Sequence, residues 1–176
     1  EEYVEKYNTS LALPCTHKVG GKWVDYKTRM ASAVDAVKNL VSSLPNTATI
    51  SYVSYTTGPK KSSGFFGGYE WNDNLIDVSD KLENLNLEPY GGTNTDMGLE
   101  AGINRFSDSN ASKKILVLVT DGEVSKKEGY GYVPSNIDKC DFNLYTVGFT
   151  YGNKELEDLA KIKGEGKGKY FRADDE

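Results

Sequence analysis

Two stretches of the sequence end in oxygen-bearing side chains that suit a cation. In "ILVLVTDGE", five aliphatic residues (115–119) run into Thr120 and Asp121. A carboxylate at the end of so apolar a strand is costly unless a charge or a ligand faces it. The stretch "GGTNTD" (91–96) offers the hydroxyls of Thr93 and Thr95. Because Mg²⁺ prefers several oxygen ligands, few of them charged, these residue types indicate a divalent-cation site.

Catalytic chemistry has less support in the residue pattern. The sequence has no GxxxxGK[ST], GxGxxG or GxSxG motif, so "GGTNT" alone is a weak sign of a phosphate-binding enzyme. The single histidine, His17, has no evident catalytic partner, and Cys15 has no evident activating base. We therefore expect that the protein is not an enzyme.

The composition limits the kinds of partner that the protein is expected to bind. The 176 residues carry a net charge of −5, and the lysines are dispersed, which argues against a nucleic-acid binder because phosphate contacts need clustered cations. No apolar stretch approaches the roughly 20 residues of a membrane span. The length and the 38% hydrophobic content predict one globular domain over residues 1–176.

Helix-like and strand-like segments alternate along the chain. Predicted strands are 9–13, 47–55, 68–71, 115–119, 143–149 and 168–173, of which 68–71 reads as a short antiparallel edge strand. Predicted helices are 29–44, one carrying Leu75, Val78, Leu82 and Leu85, one carrying Leu99, Ile103 and Phe106 with Thr95 as N-cap, 135–139, and 154–163. This order predicts an α/β fold, doubly wound, with a mostly parallel central sheet and helices on both faces.

In such folds, ligands bind beyond the carboxyl ends of the strands. Asp121 follows a predicted central strand, and the 91–96 stretch precedes a helix that should begin at the same edge. We therefore expect Thr93, Thr95 and Asp121 to lie near one another.

The ordered set "GGTNTDMGLEAG", "ILVLVTDGE", "NLYTVGF" and "GKYFRA" resembles the von Willebrand factor A domain, the fold also used by integrin inserted domains. The resemblance spans nearly the whole chain and implies a Rossmann-like sheet. It also implies a metal-ion-dependent adhesion site in which Thr93 is the ligand from the second loop and Asp121 the ligand from the third. In such sites a carboxylate from a protein partner completes the coordination of the metal.

The first loop departs from the family pattern. Where the family has Asp-x-Ser-x-Ser, this sequence has "PCTHK", so that Pro14 replaces the aspartate, Thr16 the first serine and Lys18 the second. A lost carboxylate and a gained ammonium both weaken the attraction for a dication. Two alternatives stay open. Thr16, Thr93 and Asp121 bind Mg²⁺ (or Mn²⁺ or Ca²⁺) weakly, or no metal binds and Lys18 pairs with Asp121.

Two functional hypotheses follow from the resemblance. The first is an adhesion or protein-interaction module that binds a partner at the carboxyl edge of the sheet, with contacts from Thr95, Glu123, Tyr130 and Tyr132. The second is a structural or assembly domain that has lost metal binding and docks through other surfaces, such as the tyrosine-rich loops.

Glycosylation motifs bear on the compartment of the protein. Two Asn-x-Ser/Thr sequons, at Asn8 and Asn110, favour an extracellular or cell-surface location, with the cytoplasm as the alternative. Cys15 and Cys140 should be unpaired, because the predicted topology sets them at opposite edges of the sheet.

Overall fold

The structure is a computed structural model. It describes residues 15–19, 22–26, 29–61, 69–85, 93–120, 133–149 and 154–173, with side chains described for 31–56, 76–85, 93–120, 133–149 and 154–173. The predicted strand at 9–13 lies outside the described residues, as do Pro14, Asp121, Glu123, Tyr130 and Tyr132.

The chain divides into two compact units. The first comprises residues 1–49 and 87–89, and the second comprises residues 50–86 and 90–176. A single domain over residues 1–176 stays a prediction.

The first unit contains a hairpin and a helix. Strands β1 (Cys15–Val19) and β2 (Lys22–Tyr26) pair antiparallel, and only Gly20 and Gly21 separate them in sequence. A two-residue glycine connection suits the tight turns that match strand twist. In the register of this hairpin, Thr16 lies opposite Asp25 and Lys18 lies opposite Trp23.

Helix α1 (Arg29–Ser43) confirms the helix predicted from Arg29 to Leu44. At its end, the hydroxyls of Ser42 and Ser43 donate to the carbonyls of Asn39 and Leu40, at 2.8 and 2.6 Å. Pro45 follows, and its ring cannot continue a helix.

The second unit begins with a long antiparallel hairpin of β3 (Tyr52–Lys61) and β4 (Tyr69–Ser79). The register runs from Tyr52 opposite Ser79 to Lys61 opposite Tyr69, with a shift between Gly58 and Pro59. The predicted strand at 47–55 thus begins and ends later than expected. The short edge strand at 68–71 is the start of an 11-residue strand.

The helix predicted to carry Leu75, Val78, Leu82 and Leu85 is wrong. Leu75 and Val78 lie in β4, opposite Thr56 and Val53 of β3. Only Leu82–Asn84 is helical, as a short 3₁₀ turn. The spacing of the four residues fits a helix, but pairing with a strand rich in β-branched and aromatic residues overrides that local preference.

Besides the β3–β4 hairpin, the second unit has a sheet of three parallel strands. They are β5 (Ile115–Thr120), β6 (Asn143–Gly148) and β7 (Gly168–Arg172), in the order β5-β6-β7. Burial alternates along β5: Leu118 and Thr120 are buried, whereas Ile115 is 43% exposed and Val117 is 38% exposed. One face of β5 is therefore more exposed than its run of aliphatic residues suggests.

Helices α2 (Thr95–Asn104) and α3 (Lys154–Ala160) precede β5 and β7. The core they share with the sheet consists of Leu99, Ile103, Leu118, Phe142, Leu144, Leu156 and Leu159. Within it, the fully buried hydroxyl of Thr146 donates to the carbonyl of Leu156 at 2.9 Å, which removes the cost of burying a polar group.

Two further predictions need correction. Residues 135–139 form consecutive turns, in which the amides of Ile137 and Lys139 donate to the carbonyls of Pro134 and Asn136. Helix α3 ends at Ala160 rather than Lys163. Cys140 is a free thiol, as predicted, and the side chain of Cys15 lies outside the described ones.

Candidate functional site

Helix α2 begins near the carboxyl end of β5. Gly102, in its second half, faces Leu116 near the amino end of β5: a Cβ at 102 would lie 2.8 Å from Leu116 Cδ1. Thr95 is seven residues earlier, which is about 10 Å along a helix axis. The end of α2 lies at the amino end of β5, where Lys114 Nζ donates to Phe106 O, so that α2 begins toward the carboxyl end of the strand. That Asp121 lies near Thr93 and Thr95 stays a prediction.

The two threonines at this helix start differ in exposure. Thr93 is exposed, whereas Asn94 is 5% exposed and Thr95 is 3% exposed. Asn94 is the N-cap and Thr95 the first helical residue, so the prediction of Thr95 as N-cap is off by one residue. Burial of Thr95 leaves Thr93 as the hydroxyl that a ligand outside the protein can reach.

Two oxygens in the first turn of α2 are buried without hydrogen-bond partners. Among the described residues, neither Thr95 Oγ1 nor Asp96 Oδ1 has a partner. Such atoms cost free energy unless water, an ion or another group satisfies them. Hydroxyl and carboxylate oxygens of this kind fit the preference of a hard divalent cation. Asp96 also lies in the first turn, where a negative charge is favourable.

Contact between Tyr55 and Gly98 sets the position of α2. A Cβ at Gly98 would lie 2.6 Å from Cγ and Cδ1 of the Tyr55 ring, closer than side chains pack. Gly98 thus allows β3 to approach the first turns of α2. This contact helps to fix the position of Thr95 and of Thr93, which lies just before the helix.

The carboxyl ends of the three parallel strands are aligned. Thr120 lies opposite Gly148, which lies opposite Arg172. Beyond the strands, Phe149 N donates to Thr120 O at 3.2 Å and Ala173 N donates to Gly148 O at 2.9 Å. Thr120 is 8% exposed, and it directly precedes Asp121 in the sequence.

The first predicted loop is part of the β1–β2 hairpin of the first unit. Thr16 and Lys18 lie in β1, and the register brings Asp25 opposite Thr16. In the sequence, Asp25 is the next acidic residue after the "PCTHK" stretch, and eight residues separate it from Thr16, too many for a shifted Asp-x-Ser-x-Ser motif. The pair Gly20–Gly21, flanked by two short segments, is the hairpin signal that was missed.

The segment after the predicted third loop is bonded to α2 and to the turns that follow α3. Asn136 Nδ2 donates to Glu100 O and to Asn104 Oδ1, each at 3.1 Å. Lys163 Nζ, at the end of a side chain only 10% exposed, donates to Ile137 O at 2.9 Å and lies 5.2 Å from the centre of the Phe142 ring. These contacts fix where the chain resumes after residues 121–132, which carry Glu123, Tyr130 and Tyr132.

The family model of the von Willebrand factor type A domain matches residues 26–176. The chain belongs to this family. The fold of this vWA domain is therefore the Rossmann-like α/β fold, in agreement with the three parallel strands, the antiparallel β3–β4 pair and the three α-helices that the structure describes. No curated protein and no solved structure is significantly similar to the chain.

Family membership carries general properties. vWA domains commonly mediate protein interactions or adhesion and often bind a divalent metal. In this vWA domain the match begins at Tyr26, after Pro14, Thr16 and Lys18. Within the described ranges, no three His, Cys, Asp or Glu side chains are grouped as metal ligands. No helix in those ranges has both the length and the apolar character that crossing a membrane requires.

Proposed function

We propose that this vWA domain is a protein-interaction module, not an enzyme, that binds a protein partner at the carboxyl edge of its parallel sheet. The observation that carries the proposal is the start of α2, where an exposed Thr93 adjoins the buried Asn94 and Thr95. A rigid helix start holds the exposed hydroxyl in place, as a preorganised contact requires.

Thr93 and Asp121, with Thr16, are the residues that would hold Mg²⁺ (or Mn²⁺ or Ca²⁺) in this site. The bound ion would supply a positive charge for a carboxylate of the partner. Since Pro14 and Lys18 replace two expected ligands, binding of the ion is weak. Glu123, Tyr130 and Tyr132 complete the contact surface. We place the domain outside the cell or on the cell surface, where adhesion takes place.

The alternative is a structural or assembly domain without a metal, which docks through other surfaces such as the tyrosines. One observation favours it: the family match leaves out the segment that contains the altered first loop.

Panning of a random peptide library on the immobilised protein tests the proposal. In Mg²⁺, enriched peptides should contain Asp or Glu, and their binding should be lost with Thr93→Ala. Ser107→Ala is the matched control, because Ser107 is exposed just after α2, toward the amino edge of the sheet. Peptides that bind equally well to Thr93→Ala and in EDTA would support the alternative. Failure to enrich carboxylate-containing peptides would overturn the carboxyl-edge site.

A further inference from the structure

A concavity lies at the amino edge of the parallel sheet, at the other end of the strands from the candidate site. Its volume is about 320 Å³, and its polar lining comprises Ser112, Lys113, Lys114, Asp141, Asn143 and Lys167. Lys114 directly precedes β5 and Asp141 lies just before β6. We call it the basic concavity. Its volume falls at the small end of the range for ligand pockets.

The basic concavity has an excess of positive charge in an acidic protein. Three lysines and one aspartate line it, whereas the chain carries a net charge of −5. Lys167 Nζ lies 2.7 Å from Asp141 Oδ2. The hydrogen bond and charge of Lys167, with the more distant charge of Lys163, hold the pKa of Asp141 below its ordinary value. Asp141 therefore offsets one ammonium and leaves two.

The remaining two ammonium groups differ in their surroundings. Lys114 Nζ donates to Phe106 O at 3.1 Å, and the bond is partly buried, which fixes this charge in the wall. Lys113 is exposed, and it forms no hydrogen bond or ion pair with the part of the chain that the structure describes. The Lys114 ammonium is thus held in a fixed position, whereas the Lys113 side chain can adjust its position to a ligand.

We propose that the basic concavity binds an acidic segment of a polypeptide. Carboxylates of the segment pair with Lys113 and Lys114, the two ammonium groups that Asp141 does not offset. Asp141 and the polar side chains of Ser112 and Asn143 accept hydrogen bonds from its backbone amides. A peptide offers a backbone N–H to Asp141 at every residue except proline, whereas the sugar-phosphate backbone of DNA has no N–H or O–H donor.

This site is separate from the carboxyl edge. Strand β5 has six residues, so its first and last residues lie about 17 Å apart. A partner at the carboxyl edge and an acidic peptide at the amino edge can therefore bind at the same time, and substitutions at one edge leave the other intact.

Fluorescence anisotropy with labelled hexaglutamate tests the proposal. The wild-type protein should bind it saturably at low ionic strength and more weakly as salt is added. Lys113→Gln with Lys167→Gln should weaken binding at least about fivefold, because it removes two of the three cations. Lys113→Gln alone should still weaken binding at least about twofold. Lys113 is exposed and forms no hydrogen bond or ion pair with the described residues, so this change should leave the fold intact.

Lys81→Gln with Lys154→Gln is the matched control, since it makes the same change in net charge at exposed positions of the second unit that do not line the concavity. The affinity of this control variant for hexaglutamate should stay within about twofold of that of the wild-type protein. Absence of saturable binding by the wild-type protein would overturn the proposal, as would an equal loss in the control. Tighter binding of single-stranded polyuridylate or of anionic lipid vesicles than of hexaglutamate would also overturn it.

Discussion

The aromatic ring of Tyr55 packs against the backbone of Gly98, with no room for a side chain between them. Gly98→Ala would place its methyl carbon 2.6 Å from the ring and should destabilise the protein by about 1–3 kcal/mol, even though alanine favours a helix. Gly102→Ala is the control, because its methyl meets the flexible end of Leu116. Denaturant unfolding of both variants measures the difference. Equal stabilities would mean that Tyr55 moves aside at no cost.

Lys163 stabilises the turns before β6. Its ammonium donates to Ile137 O, lies 3.4 Å from Asp138 Oδ1 and faces the ring of Phe142. Lys163→Met keeps the length of the side chain but removes these contacts, and it should cost about 1–3 kcal/mol because the charge is largely buried. Lys161→Met, at an exposed position two residues earlier, should change the free energy of unfolding by less than about 0.5 kcal/mol. A similar loss in both variants would contradict a specific role for Lys163.

Asp141 makes part of the stability depend on pH. Because Lys167 holds its pKa in the folded protein below the ordinary value of 3.8, the pair contributes stability above pH 3.8. The contribution is lost as the pH falls through the lower folded pKa. Asp141→Asn should therefore be less stable than wild type at neutral pH and equally stable in strong acid. Asp108→Asn controls for net charge. A stability gap for Asp141→Asn that is unchanged in acid would rule out this ion pair as the cause.

Metal should contribute little to the stability of the natural sequence. With a dissociation constant near the ion concentration, Mg²⁺ adds about 0.4 kcal/mol, so EDTA should leave the melting temperature nearly unchanged. Pro14→Asp with Lys18→Ser restores the family pattern in the first loop and should make the melting temperature sensitive to EDTA. Lys22→Ser with Lys18→Ser matches the loss of positive charge and should not. A large EDTA effect on the natural sequence would mean that another residue supplies the missing oxygen.

Local patterns predicted the α/β class, the helix of the first unit and most elements of the second unit. The 3–4 spacing in 29–44, the aliphatic run 115–119 and the segments 143–149 and 168–173 each carry their own signal, and each forms the expected helix or strand. The family resemblance added the order of these elements. The local patterns and the resemblance together predict that Thr93 and the end of β5 lie at one edge of the sheet. Neither requires knowledge of contacts between distant residues.

Non-local pairing explains the main errors. Leu75 and Val78 have helical spacing but pair with β3, more than 15 residues away, and nothing within 75–85 reveals that partner. The position of Asp25 opposite Thr16 depends on a hairpin turn. The contacts of Lys163 join residues 26 apart. Such contacts depend on tertiary packing, so the burial of Thr95 and the exposure of Thr93 could not be read from "GGTNTD".

The central position of β6 has a consequence for the order in which the second unit opens. In the described sheet, β6 is bonded to β5 on one side and β7 on the other, whereas β5 and β7 each have one partner. Its side chains Leu144 and Thr146 are fully buried. Backbone amides of β6 should therefore exchange with deuterium only through global unfolding, and those of β7 through cheaper local openings. Mass spectrometry of peptides from 143–148 and 168–172 would show this gradient in protection, and equal rates would mean that the sheet opens as one unit.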